Sequence, residues 1–271
     1  GMTAFRQLVA KIQGPARNLT KLVPAFVSVF TAAERLMELE ENPLEEQGEP
    51  IYLNKAEGGV GIKFSNVTYA YDDGKRNVID NLTFDFKPNS CTAILGETGA
   101  GKTTIVRLIL ALLHPVKGNV TIYNKVEEKD ISPRIRCNLV YVPQGNTLLS
   151  GSIRDNLRMG RLNATDEEMY AALDKACAGF VKELPDGLAT NCAEAGGGLS
   201  EGQAQRIAIA RALLREGSVM IFDEATSALD PETERTLLKN LLGEHSHTII
   251  FITHRPAVVD YCDNVLRIGN E

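Results

Sequence analysis

The spacing of hydrophobic positions changes character along the chain. Near the start, Leu22, Phe26, Val29, Phe30, Ala33 and Met37 recur at i, i+4, i+7, which draws an apolar stripe down one helix. An acidic segment, 38–46, follows and ends in Gly48-Glu49-Pro50, a boundary signal. Residues 1–50 are therefore expected to form a helix and a linker. The stripe alone is equally compatible with a helix packing on its own domain. From Gly61 the period shortens to two. Ile62 with Phe64, Val67 with Tyr69 and Tyr71, and Leu82 with Phe84 and Phe86 alternate around Asp72-Asp73-Gly74, which predicts antiparallel strands and a turn. A compact apolar run at 92–95 enters a glycine-rich loop, and 103–113 reads as a helix. Further buried-strand runs lie at 139–142, 219–222 and 248–252, with a last strand at 265–268. Helical segments separate them, which implies a mostly parallel sheet covered on both faces. Between the runs at 139 and 219, residues of about 150–200 read as an inserted helical subdomain, with Thr165 and Glu168 forming a capping box.

Composition narrows the class. With 271 residues and 44% hydrophobic positions, the chain can bury a sizeable core. A formal charge of −6 argues against a nucleic-acid partner, which calls for Lys/Arg stripes. The five cysteines are scattered and form no Cys-x-x-Cys pair, the pattern of reduced thiols and not of a zinc site or a disulfide framework. No run of about 18 apolar residues is present. The opening Gly1-Met2 resembles a cleavage scar ahead of a start methionine, so the chain is expected to be an excised, soluble fragment.

Two segments carry the chemistry. Gly96-Glu97-Thr98-Gly99-Ala100-Gly101-Lys102-Thr103 matches G-x-x-x-x-G-K-[ST] between a buried strand and a helix. In such a loop, backbone N–H groups and the positive end of the helix cradle phosphates. Lys102 reaches the terminal phosphates as a point charge, Thr103 offers a hydroxyl to Mg²⁺, and Thr104 joins the nucleotide-binding set. The second segment is the apolar strand that ends in Asp223-Glu224. Asp223 is placed to hold Mg²⁺, and Glu224 to polarise an attacking water.

Leu199-Ser200-Glu201-Gly202-Gln203, just before a helix at 204–215, completes a resemblance to the ATP-binding cassette (ABC) family over about residues 60–271. That resemblance implies an α/β fold: a P-loop NTPase core with a mostly parallel sheet, an antiparallel β subdomain and an α-helical subdomain at about 145–202. The domain as a whole would span 51–271. It also implies residue roles. Tyr71 matches the aromatic that stacks on adenine, and Gln144 the glutamine that ligates Mg²⁺ and senses a transmembrane partner. Asp230, in Ser227-Ala228-Leu229-Asp230, belongs to the loop through which two such domains communicate. His254 matches the histidine that contacts the γ-phosphate. Ser200, Gly202 and Gln203 are the signature that meets the nucleotide of a second ABC domain, homo- or heterodimeric, in an ATP-dependent head-to-tail pair. The implied ligands are ATP and Mg²⁺.

Within the family, the segment 148–157 resembles the exporter pattern that follows Gln144, and Glu194-Ala195-Gly196 the exporter segment ahead of the signature. The leading region 26–41 resembles the end of a last transmembrane helix, so residues 1–50 are expected to continue out of a truncated transmembrane domain at the cytoplasmic face of the inner membrane. Glu201 departs from the usual glycine and puts a negative charge near the triphosphate. The chain also stops soon after its last strand, short of the C-terminal helices usual in exporters. The rival readings are a DNA-repair ATPase, a translation-associated ATPase and an importer subunit. The first needs a coiled coil for which the span from Gln144 to Leu199 has no room, and the second needs two cassettes in one chain.

Overall fold

The computed structural model describes residues 2–40, 44–71, 77–97, 99–192, 198–243 and 246–269. The chain divides into two compact units, Gly1–Glu45 and Glu46–Glu271. The first is one helix, α1 (Met2–Glu40). Its stripe residues Leu22, Phe26, Val29, Phe30 and Met37 are all exposed.

The second unit opens with an irregular lead-in that Asn138 anchors. This buried amide accepts from Leu53 N at 2.9 Å and donates to the Ile51 carbonyl at 2.7 Å. Then come β1 (Gly61–Tyr69), β2 (Ile79–Phe86) and β3 (Cys91–Gly96), the phosphate-type loop, and α2 (Lys102–Ile109). Helix α2 is shorter than its apolar pattern predicts. Ala111 turns left-handed at φ 53°, and the Arg136 guanidinium takes the Leu110 and Ala111 carbonyls at 2.6 and 2.8 Å, so the last turn is capped by a side chain. β4 (Lys117–Tyr123) and β5 (Glu128–Asp130) follow, and β4 pairs antiparallel with β1. β6 (Leu139–Val142) then leads into the inserted region.

That region is less helical than expected. It holds a two-residue ladder between β7 (Gly151–Ser152) and β8 (Asn191–Cys192), two helices, α3 (Ile153–Arg158) and α4 (Asp166–Lys175), and 3-10 turns at 179–183 and 187–189. Both helices start on capping boxes, Ser152 with Asp155 and Thr165 with Glu168. The chain closes with α5 (Glu201–Leu214), β9 (Val219–Asp223), α6 (Pro231–Leu242), β10 (Thr248–Ile252), α7 (Pro256–Val259) and β11 (Asn264–Ile268).

The strands form an antiparallel sheet in the order β2-β1-β4-β5 and a parallel sheet in the order β11-β3-β10-β9-β6. Alternation along the parallel strands feeds two cores. Val219, Ile221, Ile250 and Ile252 face α2 and the antiparallel sheet; Met220, Phe222, Ile249 and Phe251 face α5, α6 and the inserted helices. Phe222 and Phe251 stack across neighbouring strands at 5.1 Å. Burying each such side chain is worth about 1.5–3 kcal/mol. The fold is α/β, a P-loop NTPase core with an antiparallel β subdomain and inserted helices.

Candidate active site

The parallel order brings three chain ends together. β10 lies between β3 and β9, so Gly96, Thr253-His254 and Asp223-Glu224 all emerge at the carboxyl edge of three adjacent strands. Ligands of open α/β sheets bind at that edge. Two bonds extend the ladder past the strands: Thr253 N donates to Ile94 O at 3.3 Å and Glu224 N to Ile252 O at 2.9 Å.

The loop after β3 needs its glycines for definite reasons. A Cβ on Gly96 would lie 2.4 Å from the Ile268 carbonyl, so β11 packs too closely for any other residue. Gly101 caps α2 at φ 105°, a left-handed conformation that favours glycine. The Lys102 ammonium folds back onto the loop, donating to the Gly96 carbonyl and, at 3.0 Å, to the Glu97 carbonyl. Among the described residues it pairs with no carboxylate, so its charge is available to an anion. Gly99 and Ala100 line a cleft of about 400 Å³ with Asn77, Val78, Arg267 and Gly269. Thr103 is exposed at the first turn of α2, and Thr104 is buried. Thr98 lies outside the described residues.

At the acidic end, Glu224 adopts φ 48°, which costs a non-glycine residue about 1–2 kcal/mol. The left-handed turn gives the two neighbouring acids different surroundings. Glu224 Oε2 accepts from Gln144 Nε2 at 3.1 Å, and Oε1 lies 3.6 Å from His254 Nδ1. Gln144, Glu224 and His254 thus form one cluster. Asp223 instead accepts from the Tyr141 hydroxyl at 2.9 Å. Burial pushes the Asp223 carboxyl up, with Glu224 adding to the effect while the Tyr141 bond and the Lys102 charge pull it down. Burial, and then Asp223, raises the Tyr141 phenol as well. The donor set of Thr103, Gln144 and Asp223 consists of hard oxygen-bearing groups, which suits Mg²⁺.

The Ser200 group is a self-contained helix start. Ser200 Oγ accepts from Gln203 N at 3.2 Å, and Gln203 Oε1 accepts from Ser200 N at 2.9 Å, a capping box on the 14-residue α5. A Cβ on Gly202 would sit 2.8 Å from the Ala228 carbonyl, so α5 rests directly on the loop after β9. Among the described residues, no hydrogen bond joins Ser200, Gly202 or Gln203 to the loop at 96–103. Asp230 caps α6, its Oδ1 accepting from Glu232 N and Thr233 N at 3.1 and 3.0 Å. Glu194, Ala195 and Gly196 lie outside the described residues, as does the Asp72-Asp73-Gly74 turn.

Tyr71 is 39% exposed, its ring set edge-on to Tyr69 and its hydroxyl within 3.3 Å of Thr104 Oγ1. Arg107 Nη1 donates to the same hydroxyl at 3.2 Å. Tyr71 therefore stands over the start of α2.

Three residues absent from the sequence reading complete the site. Tyr141 is the first. The second is Gln205, 2% exposed, which donates to Ser227 Oγ at 3.3 Å and accepts from Ala228 N at 3.2 Å. The third is Arg255, whose Nη1 donates to the Thr226 and Leu229 carbonyls at 2.7 and 3.1 Å and pairs with the buried Glu234 at 2.9 Å. The loop after Glu224 is thus held from the α5 side by Gln205 and from the His254 side by Arg255. A polar residue inside an otherwise apolar helix face was the available signal for Gln205.

Comparison with known proteins agrees with this geometry. The ABC transporter family model matches residues 79–227, more than half of the chain. The chain is 34% identical over 272 residues to the mitochondrial iron-sulfur clusters transporter ATM1 of Candida glabrata, covering 98% of this chain and 37% of that protein. It is 41% identical over 218 residues to the beta-(1→2)glucan export ATP-binding/permease protein NdvA of Brucella melitensis biotype 1, covering 79% and 36%. Among solved structures, an ATP-bound bacterial Atm1-family ABC exporter superposes with a TM-score of 0.78 at 31% identity, covering 89% of this chain and 42% of that one. The chain spans well under half the length of these relatives. With the fold, the phosphate-type loop and the acidic strand end in place, the chain belongs to the ABC transporter family, as one of its ATP-binding and ATP-hydrolysing domains.

Proposed function

We propose that this chain is the motor of an ABC exporter, hydrolysing MgATP so that closing and opening of a motor pair drives an attached transmembrane domain. The convergence of Lys102, Asp223, Glu224 and His254 on the edge of three neighbouring strands carries the reading. Lys102 and the loop at 96–104 hold the phosphates, Tyr71 supports the adenine, and Thr103, Gln144 and Asp223 hold Mg²⁺, which neutralises charge on the β- and γ-phosphates. Glu224 takes the proton from the attacking water as the bond from the γ-phosphorus to the β–γ bridging oxygen breaks. His254, 3.6 Å from Glu224, faces the γ-phosphate and orients that carboxylate.

Ser200, Gly202 and Gln203 serve the nucleotide of a second motor. The exposed N-terminus of α5 presents N–H groups and a positive dipole end, a setting suited to phosphate. Asp230 and its loop report between the two sites. Glu201 sets a negative charge at the same helix end, which opposes closure on the triphosphate.

A groove near Gln144, lined by Tyr141, Thr147, Leu149, Met159 and Arg211, suits a transmembrane partner, with exposed Leu149, Met159 and Leu162 close in sequence. In this reading residues 1–50 continue that partner's last helix, and the motor works at the cytoplasmic face of the membrane. Among the described residues no helix is long and apolar enough to cross a bilayer. Relatives of similar identity are named for different cargoes, so cargo choice belongs to the membrane domain.

Glu224→Gln tests the assignment. The amide keeps size and hydrogen bonding but cannot take a proton. MgATP should bind with near wild-type affinity, turnover should fall at least a hundredfold, and ATP should give a dimer on size-exclusion chromatography. Normal turnover in this variant would remove Glu224 from the reaction.

A further inference from the structure

The five cysteines are scattered in sequence, yet the fold brings two of them into contact. Cys91 opens β3, and Cys262 lies in the turn between α7 and β11. Their Sγ atoms are 2.7 Å apart. Non-bonded carbon atoms rest about 3.5–4.0 Å apart, and bonded sulfurs about 2.0 Å. Two backbone-centred bonds hold the segments in register: Cys91 N donates to Asp263 Oδ2 at 2.8 Å, and Asp263 N to the Cys91 carbonyl at 2.9 Å. Among the described residues no set of three or more His, Cys, Asp or Glu side chains is gathered to hold a metal ion, so the pair is not part of a metal site. Neither thiol has a role in the nucleotide site, which lies at the opposite, carboxyl end of β3.

We propose that Cys91 and Cys262 form a reversible disulfide that staples β11 to β3. Cys262 is half-buried, whereas Cys91 is 3% exposed at the floor of a small cleft lined also by Asn89, His247 and Tyr261. Their order of reaction follows from access. The Cys262 thiolate attacks an oxidised small-molecule disulfide such as glutathione disulfide, forming a mixed disulfide and releasing one thiol. Cys91 then attacks the Cys262 sulfur of that mixed disulfide, gives up its proton and displaces the second thiol. Two protein thiols are oxidised and one glutathione disulfide is reduced to two glutathiones. The contact with Cys262, burial and the neighbouring Asp263 all hold the Cys91 thiol in its protonated form, so Cys262 is the better first nucleophile. Cys91 attacks second, as its thiolate, where contact with the Cys262 sulfur offsets its small thiolate fraction.

The consequence is mechanical. β11 pairs with β3 from Asn264↔Thr92 to Ile268↔Gly96, so it runs from the thiol pair to the phosphate loop. β11 is also an edge strand of the parallel sheet, paired with β3 alone. Closing its lower end should stabilise the unit and leave the loop at the far end of the strand unaltered.

The test equilibrates the whole 271-residue chain in glutathione buffers of rising disulfide fraction, then alkylates the remaining thiols and reads intact mass and a peptide map. The expected result is loss of two of the five alkylatable cysteines, a Cys91–Cys262 cross-linked peptide and a higher melting midpoint. MgATP affinity should stay within about twofold. Cys262→Ser and Cys91→Ser should each abolish the cross-link, while Cys137→Ser keeps it. Five alkylated cysteines at the most oxidising ratio, a different bridged pair, or a cross-link that leaves the midpoint unchanged would each overturn the proposal.

Discussion

The Tyr141 hydroxyl donates to Asp223 Oδ2 across 2.9 Å, tying the strand that leads to Gln144 to the strand that ends in the acidic pair. The register explains why these two meet. Tyr141 pairs with Ile221, and Asp223, two residues on, projects from the same face of β9. Without that donor, a carboxylate pushed toward its neutral form by burial would hold a cation less well. A hydrogen bond to a charged group contributes about 1.5–3 kcal/mol, and partial exposure favours the lower end. Tyr141→Phe should therefore raise the Mg²⁺ concentration needed for half-maximal ATPase activity by about tenfold. Nucleotide binding without metal should stay unchanged, as titration calorimetry can show. Equal weakening with and without Mg²⁺ would mean that the bond serves folding alone.

Lys102→Ala removes the one ammonium that the phosphate loop carries. The lost charge-assisted contact should weaken MgATP binding by tenfold or more in calorimetry. Ser200→Arg blocks the other half of a shared site. If each active site takes Lys102 from one copy and Ser200 from its partner, a mixed dimer of the two variants retains one intact site. Mixing two inactive proteins should then restore part of the ATPase activity, increasingly so at higher protein concentration. If trapped mixed dimers gain activity only when both substitutions lie in one chain, the shared site is wrong. Activity that requires one of the copies to be wholly wild type in its own loop and signature, with substitutions placed either way, would show that Ser200 acts within its own chain.

Arg255 clamps the loop after Glu224 by its carbonyls and neutralises Glu234, which is 1% exposed. Breaking a buried pair from one side costs about 3–5 kcal/mol. Arg255→Ala should lose roughly that much stability in urea unfolding. Glu234→Gln, which keeps an acceptor for Arg255 and removes the buried charge, should lose less. Wild-type stability in Arg255→Ala would show that the clamp is not structural.

Helix caps set an acid limit on stability. The hydrogen bonds from Thr233 and Glu232 hold the Asp230 carboxyl below the usual carboxylate range, and capping bonds do the same for Asp155 and Glu168. A depressed folded value means that the stabilisation is complete above the unfolded value, near about 4, and is lost as pH falls through the folded one. The melting midpoint should therefore drop between about pH 5 and pH 3. Asp230→Asn, whose amide caps without titrating, should show a smaller drop. Parallel midpoint curves for the two proteins would exclude Asp230 as a contributor.

Sequence alone determined the local features of this protein. Period-two alternation marked the strands at 61–69 and 79–86, unbroken apolar runs marked those at 139–142 and 248–252, and capping chemistry marked Thr165 with Glu168. These are short-range properties, written in neighbouring residues. Sequence could also mark the loop at 96–103 and the pair Asp223-Glu224, because each is contiguous. Where α2 ends was decided elsewhere: Arg136, 26 residues after Leu110, takes the carbonyl that ends the helix. Tertiary structure likewise decided the strand order that sets β10 between β3 and β9, and with it the meeting of Gln144, Glu224 and His254. It decided the bond from Tyr141 to Asp223, the seating of Gln205 and Arg255 on the loop at 226–230, and the contact of Cys91 with Cys262 across 171 positions. Each depends on register and long-range packing. A one-residue slip sends a strand side chain to the opposite face, and no local pattern records which distant strand lies alongside.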